Sequence, residues 1–275
     1  MTPVDHQGAF RSLLFRVVRR VAREMEGVAP ARVTMPLEAW ADKAVEPELC
    51  LIPKLVRRDQ VAVDVGAARG SYSYYFSRFA RACHAFEPNP DSVERLKRRL
   101  PSVHVHNVAL SASPGTAILR IPTVAGQILA GWASIHEANH FKALPAHSVT
   151  SVRVETVSLD EFGVRNVGFI KIDVEGHELE VLKGAKNTII RDNPIVQVEA
   201  EERHRPDAVS SVFEFLQPLG YSAYCIQGRS LTPLIRKRFD PGKSLARNYI
   251  FIPDCRLALL QASGILSMPD CSQAT

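Results

Sequence analysis

The chain is expected to fold as an α/β protein, a doubly wound and mostly parallel sheet with a helical extension at its N-terminus. Three observations predict this. From residue 60, short β-branched runs alternate with helical patterns, as parallel βαβ units require. Two apolar strands end in glycine-containing turns that carry acidic residues, VDVGAARG at 63–70 and IKIDVEGHE at 170–178. The 275 residues, 46% hydrophobic and 23% charged, suffice for a full core without disulfides or metals.

This composition excludes a disordered, collagen-like or coiled-coil chain, and no uncharged apolar run approaches the ~18 residues of a membrane span. Lys and Arg number 34 against 29 Asp and Glu, a net charge of +5. The basic residues cluster at Arg16–Arg23, Arg95–Arg99 and Arg236–Arg238, a pattern that solvated helix faces produce as readily as a polyanion-binding surface. Cys50, Cys83, Cys225, Cys255 and Cys271 form no CxxC pair and leave one over. That suits a reducing compartment and argues against a zinc ribbon or a disulfide framework. With no signal-peptide core in the first residues, the expected location is cytoplasmic.

Phe10, Leu13, Leu14, Val17, Val18, Val21 and Met25 recur at helical spacing within 10–26, and Arg11, Arg16, Arg19, Arg20 and Arg23 mostly fill the other face. Such a helix either docks on its own domain or a second copy, or touches an anionic membrane peripherally. Docking is the expectation, and with it a possible homo-oligomer. The organisation then reads as a helical extension over 1–58, an α/β domain over 59–255 and a C-terminal tail over 256–275. Strands are expected at 61–65, 82–88, 103–110, 167–174 and 194–200, and later in YSAYCI and RNYIFI; helices are expected at 72–80, 90–100, 178–191 and 207–217. Residues 111–160 break the alternation and read as an insertion or hairpin near the mouth of the sheet.

The stretch Asp64-Val65-Gly66-Ala67-Ala68-Arg69-Gly70 ends one strand and opens a helix. Its glycines let the backbone turn sharply and approach a ligand. Glu87 stands at the next strand's tip, 17 residues after Gly70, placed to accept hydrogen bonds from both hydroxyls of a ribose. The G-x-G-x-x-G pattern of pyrophosphate binding is missing, which argues against a nicotinamide-dependent oxidoreductase. A nucleoside cofactor without phosphates fits better, S-adenosylmethionine being the obvious one.

Lys171 interrupts an apolar strand that then delivers Asp173 and Glu175 at period two. Three charges at a buried strand end need partners or a ligand. Glu199 and Glu201 repeat the arrangement on the next strand. Converging carboxylates can act as a general base, orient a hydroxyl, hold a hard divalent metal, or form a structural Lys–Asp–Glu network. His136, His177 and His204 are candidate proton acceptors.

At these residues the chain resembles the FkbM family of S-adenosylmethionine-dependent methyltransferases. The matching pieces are VDVGAARGSYS, FEPNP, HNVAL, WAS, VETVSLDEF, FIKIDVEGHELEVLKGA and NPIVQVEA, in the family's order over roughly 60–202. The family usually reads GAN where this chain has Gly66-Ala67-Ala68. The resemblance implies a Rossmann-like fold of the class I methyltransferase type, making 59–255 a methyltransferase domain. It implies that Asp64, Gly66, Ala67 and Gly70 surround the methionine part of the cofactor. Glu87 would hold the ribose, with Asn89 close by, and Asn107 and Val108 would lie against the adenine. Ser134, Asp173 and Glu175 would face the reaction chamber, with Asp173 as base or hydroxyl-orienting group and Lys171 modulating its charge. The implied activity is O-methylation of a saccharide or natural-product hydroxyl. A non-catalytic module binding a glycan or partner subunit is the alternative, and the Ala68 departure is the feature in its favour. A nucleic-acid substrate is not expected, because no aromatic-laced basic stretch is present.

Overall fold

The computed structural model describes residues 6–136, 139, 141, 144–145, 147–227, 230–234 and 247–266. The Arg236–Arg238 cluster, Cys271 and the tail from 267 lie outside them.

Two helices, α1 (His6–Glu24) and α2 (Ala31–Asp42), open the chain and lead to a short α3 (Ile52–Leu55). Next come β1 (Val61–Val65), α4 (Ser71–Phe79), β2 (Ala82–Phe86), α5 (Pro90–Arg99) and β3 (His104–His106). Four strands follow, β4 (Ala109–Leu110), β5 (Gly115–Val124), β6 (Gln127–Ile128) and β7 (His147–Val157). The chain continues through α6 (Leu159–Phe162), β8 (Val167–Ile172), α7 (Glu178–Gly184), α8 (Lys186–Asp192) and β9 (Ile195–Glu199). It ends with α9 (Ala208–Leu216), β10 (Tyr221–Gln227), β11 (Ser230–Pro233), β12 (Asn248–Pro253) and α10 (Asp254–Ala262).

Eight strands form one sheet in the order β11-β10-β12-β9-β8-β1-β2-β3. The five from β9 to β3 pair in parallel, and β12, β10 and β11 extend the edge with antiparallel pairings. Every residue of β1 and β8 is buried, as apolar runs covered on both faces should be. Ala62 joins one core cluster with Phe76, Phe169 and Ile250, while Val63 joins another with Ile170, Val198 and Phe213. Period-two alternation along β1 places these cores on opposite faces of the sheet.

Residues 109–157 supply a second sheet of order β4-β7-β5-β6. β5 and β7 pair antiparallel from Gly115↔Thr156 to Val124↔His147 over a small core of Ala109, Leu119, Ile121 and Val154.

The helical extension is held electrostatically. Arg19 reaches Asp42 at 2.7 Å and Arg23 reaches Glu38 at 2.8 Å. The fully buried Glu38 also takes Arg69 and Arg99, each at 2.6 Å, and Glu26 takes Arg69 at 2.7 Å. Burial alone would raise the Glu38 carboxyl, but Arg69 and Arg99 hold it at about 2. Helix α1 therefore turns Arg19 and Arg23 inward and leaves Leu13, Leu14, Val17 and Val21 exposed. This reverses the docking that an apolar stripe suggests. The reason is that buried carboxylates without cations would cost several kcal/mol.

The order of strands reverses at β1, so the crevice opens outside its carboxyl end. A Cβ on Gly66 (φ +78°) would stand 1.8 Å from the Asp173 carbonyl oxygen, and one on Gly70 (φ +88°) would stand 2.6 Å from Leu96. Only glycine fits either position. Between them Ala68 adopts φ +44°, a conformation that costs an alanine about 1–2 kcal/mol. Ala68→Gly is expected to raise stability by about 0.5–1 kcal/mol, net of the extra freedom glycine has when unfolded. Thermal unfolding checks this, and a lower Tm in the variant would refute it.

The pairing of β2 with β3 sets His84 beside His104 and Phe86 beside His106, with His84 Nδ1 3.2 Å from His106 Nε2. Burial, reinforced by His84, pushes His106 down to about 4, and burial also lowers His84. Both are harder to protonate in the fold than in the unfolded chain, where they titrate near ~6.5. Their contribution is complete above that pH and is lost as pH falls toward 4. His106→Phe should flatten the decline of Tm between pH 6.5 and 4, and an unchanged slope would disprove the linkage.

Candidate active site

A cavity of about 690 Å³ opens at the carboxyl ends of β1, β2, β8 and β9, the place where the strand order reverses. It brings together Asp64, Gly66, Ala67, Gly70, Glu87, Asn89, Lys171, Asp173, Glu175 and Glu199. Asn107 and Val108 do not line it. Strand β3 ends at His106, and the exposed Asn107 turns its Nδ2 back to donate to the Glu87 and Pro88 carbonyls at 3.2 and 3.0 Å. Val108 packs against the core instead. At this end of the cavity Ala109 and Leu110 take their place.

Asp64 is buried at the end of β1, where it accepts from Ser73 Oγ at 2.6 Å; burial raises its carboxyl. Glu87 accepts from the Ala68 amide at Oε2 (2.8 Å) and from the Asn89 amide at Oε1 (2.9 Å). Burial pushes it up to about 7 against both bonds. Each oxygen retains a further lone pair for a hydroxyl donor. The departure at Ala68 thus leaves a backbone amide holding Glu87. The Asn89 side chain is engaged in capping α5, its Oδ1 accepting from Asp91 N at 3.1 Å.

Lys171 is 3% exposed, pairs with Asp173 Oδ2 at 2.7 Å and lies 4.8 Å from the centre of the Tyr72 ring. Burial alone would lower its ammonium, but Asp173, Glu46, Glu199 and Asp64 outweigh that and raise it. The field of Asp173, then burial, lifts Glu199 to about 9, and burial lifts Glu46 to about 7. Among the described residues, no three His, Cys, Asp or Glu side chains converge in a way that could hold a metal ion. The ammonium supplies the counter-charge here.

Glu175 sits in left-handed backbone at φ +53°. Ser134 Oγ and Asn139 Nδ2 donate to its carbonyl at 2.7 and 3.0 Å, while His204 Nε2 lies 2.6 Å from Oε2. Burial disfavours charge on His204, yet Glu175 and Glu201 raise it to about 9. Ser134, His136, His177 and His204 do not line the cavity. Ser134 and His204 position Glu175 instead. His177, pushed by burial to about 4, faces Ser111 Oγ at 2.9 Å. Glu201 is also off the cavity wall, bonded by Arg203 through both oxygens at 2.7 Å.

Among the cavity residues that escape the sequence reading are Arg19, Arg23, Asp42 and Glu46. The i,i+4 arginines were visible, but nothing local says which way they face. No local pattern marks Glu46 as a partner of a lysine 125 positions away.

The pattern of the methyltransferase FkbM domain matches residues 64–223, more than half of the chain. The hexuronic acid methyltransferase AglP of Haloferax volcanii is 33% identical over 190 residues, covering 64% of this chain and 73% of that protein. The solved methyltransferase FkbM from Methylobacillus flagellatus KT gives a TM-score of 0.48 at 15% identity over 78% of this chain. The alignment spans 53% of that protein, about half its length. SMU.1697c, a Streptococcus mutans structure in complex with SAH, gives 0.41 at 8% identity, covering 75% of this chain and 94% of its own. The sheet is of the class I methyltransferase type, and the chain belongs to the FkbM methyltransferase family.

Proposed function

We propose that this chain transfers a methyl group from S-adenosylmethionine to a hydroxyl of a sugar acceptor. The observation that carries the reading is one cavity holding both a ribose-type carboxylate, Glu87, and a charged cluster, Lys171-Asp173-Glu199. The hexuronic acid methyltransferase at 33% identity supports a saccharide over other natural-product hydroxyls.

The residues present fit such a cofactor. Glu87 offers two acceptor oxygens toward ribose hydroxyls, and Asp64 supplies negative charge for an ammonium. Arg19 and Arg23, on the wall shared with Gly70 and Ser71, supply positive charge for a carboxylate. The cofactor, when bound, brings an already activated methyl group. What remains for the protein is to align the acceptor hydroxyl and take its proton. Alignment is worth up to about 7–11 kcal/mol and a positioned base about 10²–10⁴-fold. Asp173, its side chain 27% exposed, is the group assigned to accept that proton. Glu199 stays protonated beside it through neutral pH and so acts as a donor that orients the hydroxyl.

Asp173→Asn should lower turnover by roughly 10²–10⁴-fold while changing cofactor affinity by less than about 3-fold. Lys171 keeps Glu46, Glu199 and Asp64 as partners, so the variant should stay folded. Glu199, held up to about 9 in the fold, binds its proton there more tightly than in the unfolded chain, so this contribution is lost as pH rises from about 4.5 to 9. Removing the Asp173 charge should therefore also flatten the alkaline decline of Tm. Full activity in the variant would exclude the base assignment, and a chelator-sensitive wild type would favour the metal alternative.

Glu87→Gln keeps the size of the side chain but removes its charge. It is expected to weaken S-adenosylmethionine binding by about 1.5–3 kcal/mol in calorimetric titration. Unaltered affinity would remove Glu87 from the ribose site. No binding by the wild-type protein would leave the non-catalytic reading.

A further inference from the structure

Ten of the sixteen exposed large apolar side chains among the described residues fall between residues 13 and 45. On α1, Leu13, Val17 and Val21, with Met25 just beyond its end, follow at four-residue spacing; on α2, Val33, Leu37 and Trp40 form a second stripe. The rings of Phe15, on the inward side of α1, and Trp40 meet at 4.4 Å across the two helices, so α1 and α2 lie side by side with both apolar stripes exposed. The carboxylates Glu26, Glu38 and Asp42 are turned away from it, onto Arg19, Arg23, Arg69 and Arg99. Among the described side chains of these helices, the exposed charges are Arg16, Arg20 and Arg32 against Glu24, which Arg20 holds at 2.7 Å. Exposed apolar stripes on two packed helices, with a basic edge, make an interaction surface.

We propose that this face docks the protein on an anionic membrane surface, with α1 and α2 lying in the plane of the lipid headgroups. The aliphatic side chains enter the boundary of the acyl region, Trp40 sits at headgroup depth, and Arg16 and Arg32 meet lipid phosphates. Charge selects this occupant over a second copy, since pairing the face with itself would set one net positive edge against another. Among the described residues no helix is long and apolar enough to cross a membrane, so the attachment is peripheral. Val45, 58% exposed, also lines the cavity, so docking sets the rim of the cavity beside the lipid. The proposal stands independently of the reaction assigned above.

The test is co-sedimentation of the full chain with vesicles of phosphatidylcholine alone or with added phosphatidylglycerol, at low salt. Two unpaired arginines at about 1 kcal/mol each predict roughly 30-fold tighter binding to the anionic vesicles. Val17→Ser with Leu37→Ser should abolish binding to both while Tm and cofactor affinity stay at wild-type values. Arg16→Ser with Arg32→Ser, both exposed, should remove only the preference for phosphatidylglycerol. Failure of the wild-type chain to sediment with anionic vesicles would overturn the proposal. So would a concentration-dependent dimer that the Val17→Ser, Leu37→Ser variant abolishes, because a second copy would then cover the face.

Discussion

Lys171 lies in an inner strand of the sheet with 3% of its side chain exposed, where an unpaired ammonium would cost several kcal/mol. It is tolerated because four separate segments bring carboxylates to it. Glu46 follows α2, Asp64 ends β1, Asp173 follows β8 and Glu199 ends β9. One cation shared among four carboxylates leaves negative charge in excess, and Glu199 relieves part of it by retaining a proton up to about pH 9. The remainder favours a cationic ligand. The proposed cofactor carries its cation at the sulfonium that donates the methyl group, so the charge that secures the strand end would also draw that atom into the cavity.

Position matters as much as charge. Gly66 approaches the Asp173 carbonyl so closely that no Cβ could intervene, and the Asp173 amide donates to Val65 O at 3.0 Å. The loop expected to surround the cofactor and the residue assigned as base are therefore locked together through backbone. Glu175 is fixed by the side chains of Ser134, Asn139 and His204. Rigid first contacts of this kind are what alignment-based rate enhancement requires. The second sheet serves this end: Ser134 reaches Glu175 from the segment bridged to Arg120 of β5.

The parallel strands, their order of appearance and the carboxylates at their tips were legible in the sequence, because each is a local signal: a β-branched run, a glycine turn, a charge in an apolar segment. Asp64, Glu87, Lys171, Asp173 and Glu175 all reach the cavity for that reason. What escaped depends on long-range geometry. Asn107 follows a recognisable strand, but the strand stops at His106 and the side chain folds back onto the preceding turn. Asn89 reads as a ligand-side amide, yet its oxygen is taken by the start of α5.

The orientation of α1 is the clearest case of a pattern with two solutions. Apolar residues along one face and arginines along the other give the same periodicity whichever side is buried, so helical spacing cannot choose. The choice is made elsewhere, by Glu38, which is wholly buried and needs cations, and which finds them on α1, on the glycine loop at Arg69 and on α5 at Arg99. Since Arg69 lies between Gly66 and Gly70, the same ion-pair network that inverts the helix also braces the loop beneath the cavity. Turning these arginines inward leaves the apolar stripe outside, where an exposed apolar patch marks an interaction surface. An exposed stripe whose neighbouring acids, Glu24 apart, have been drawn inward makes physical sense as a surface for a partner that is both apolar and negatively charged.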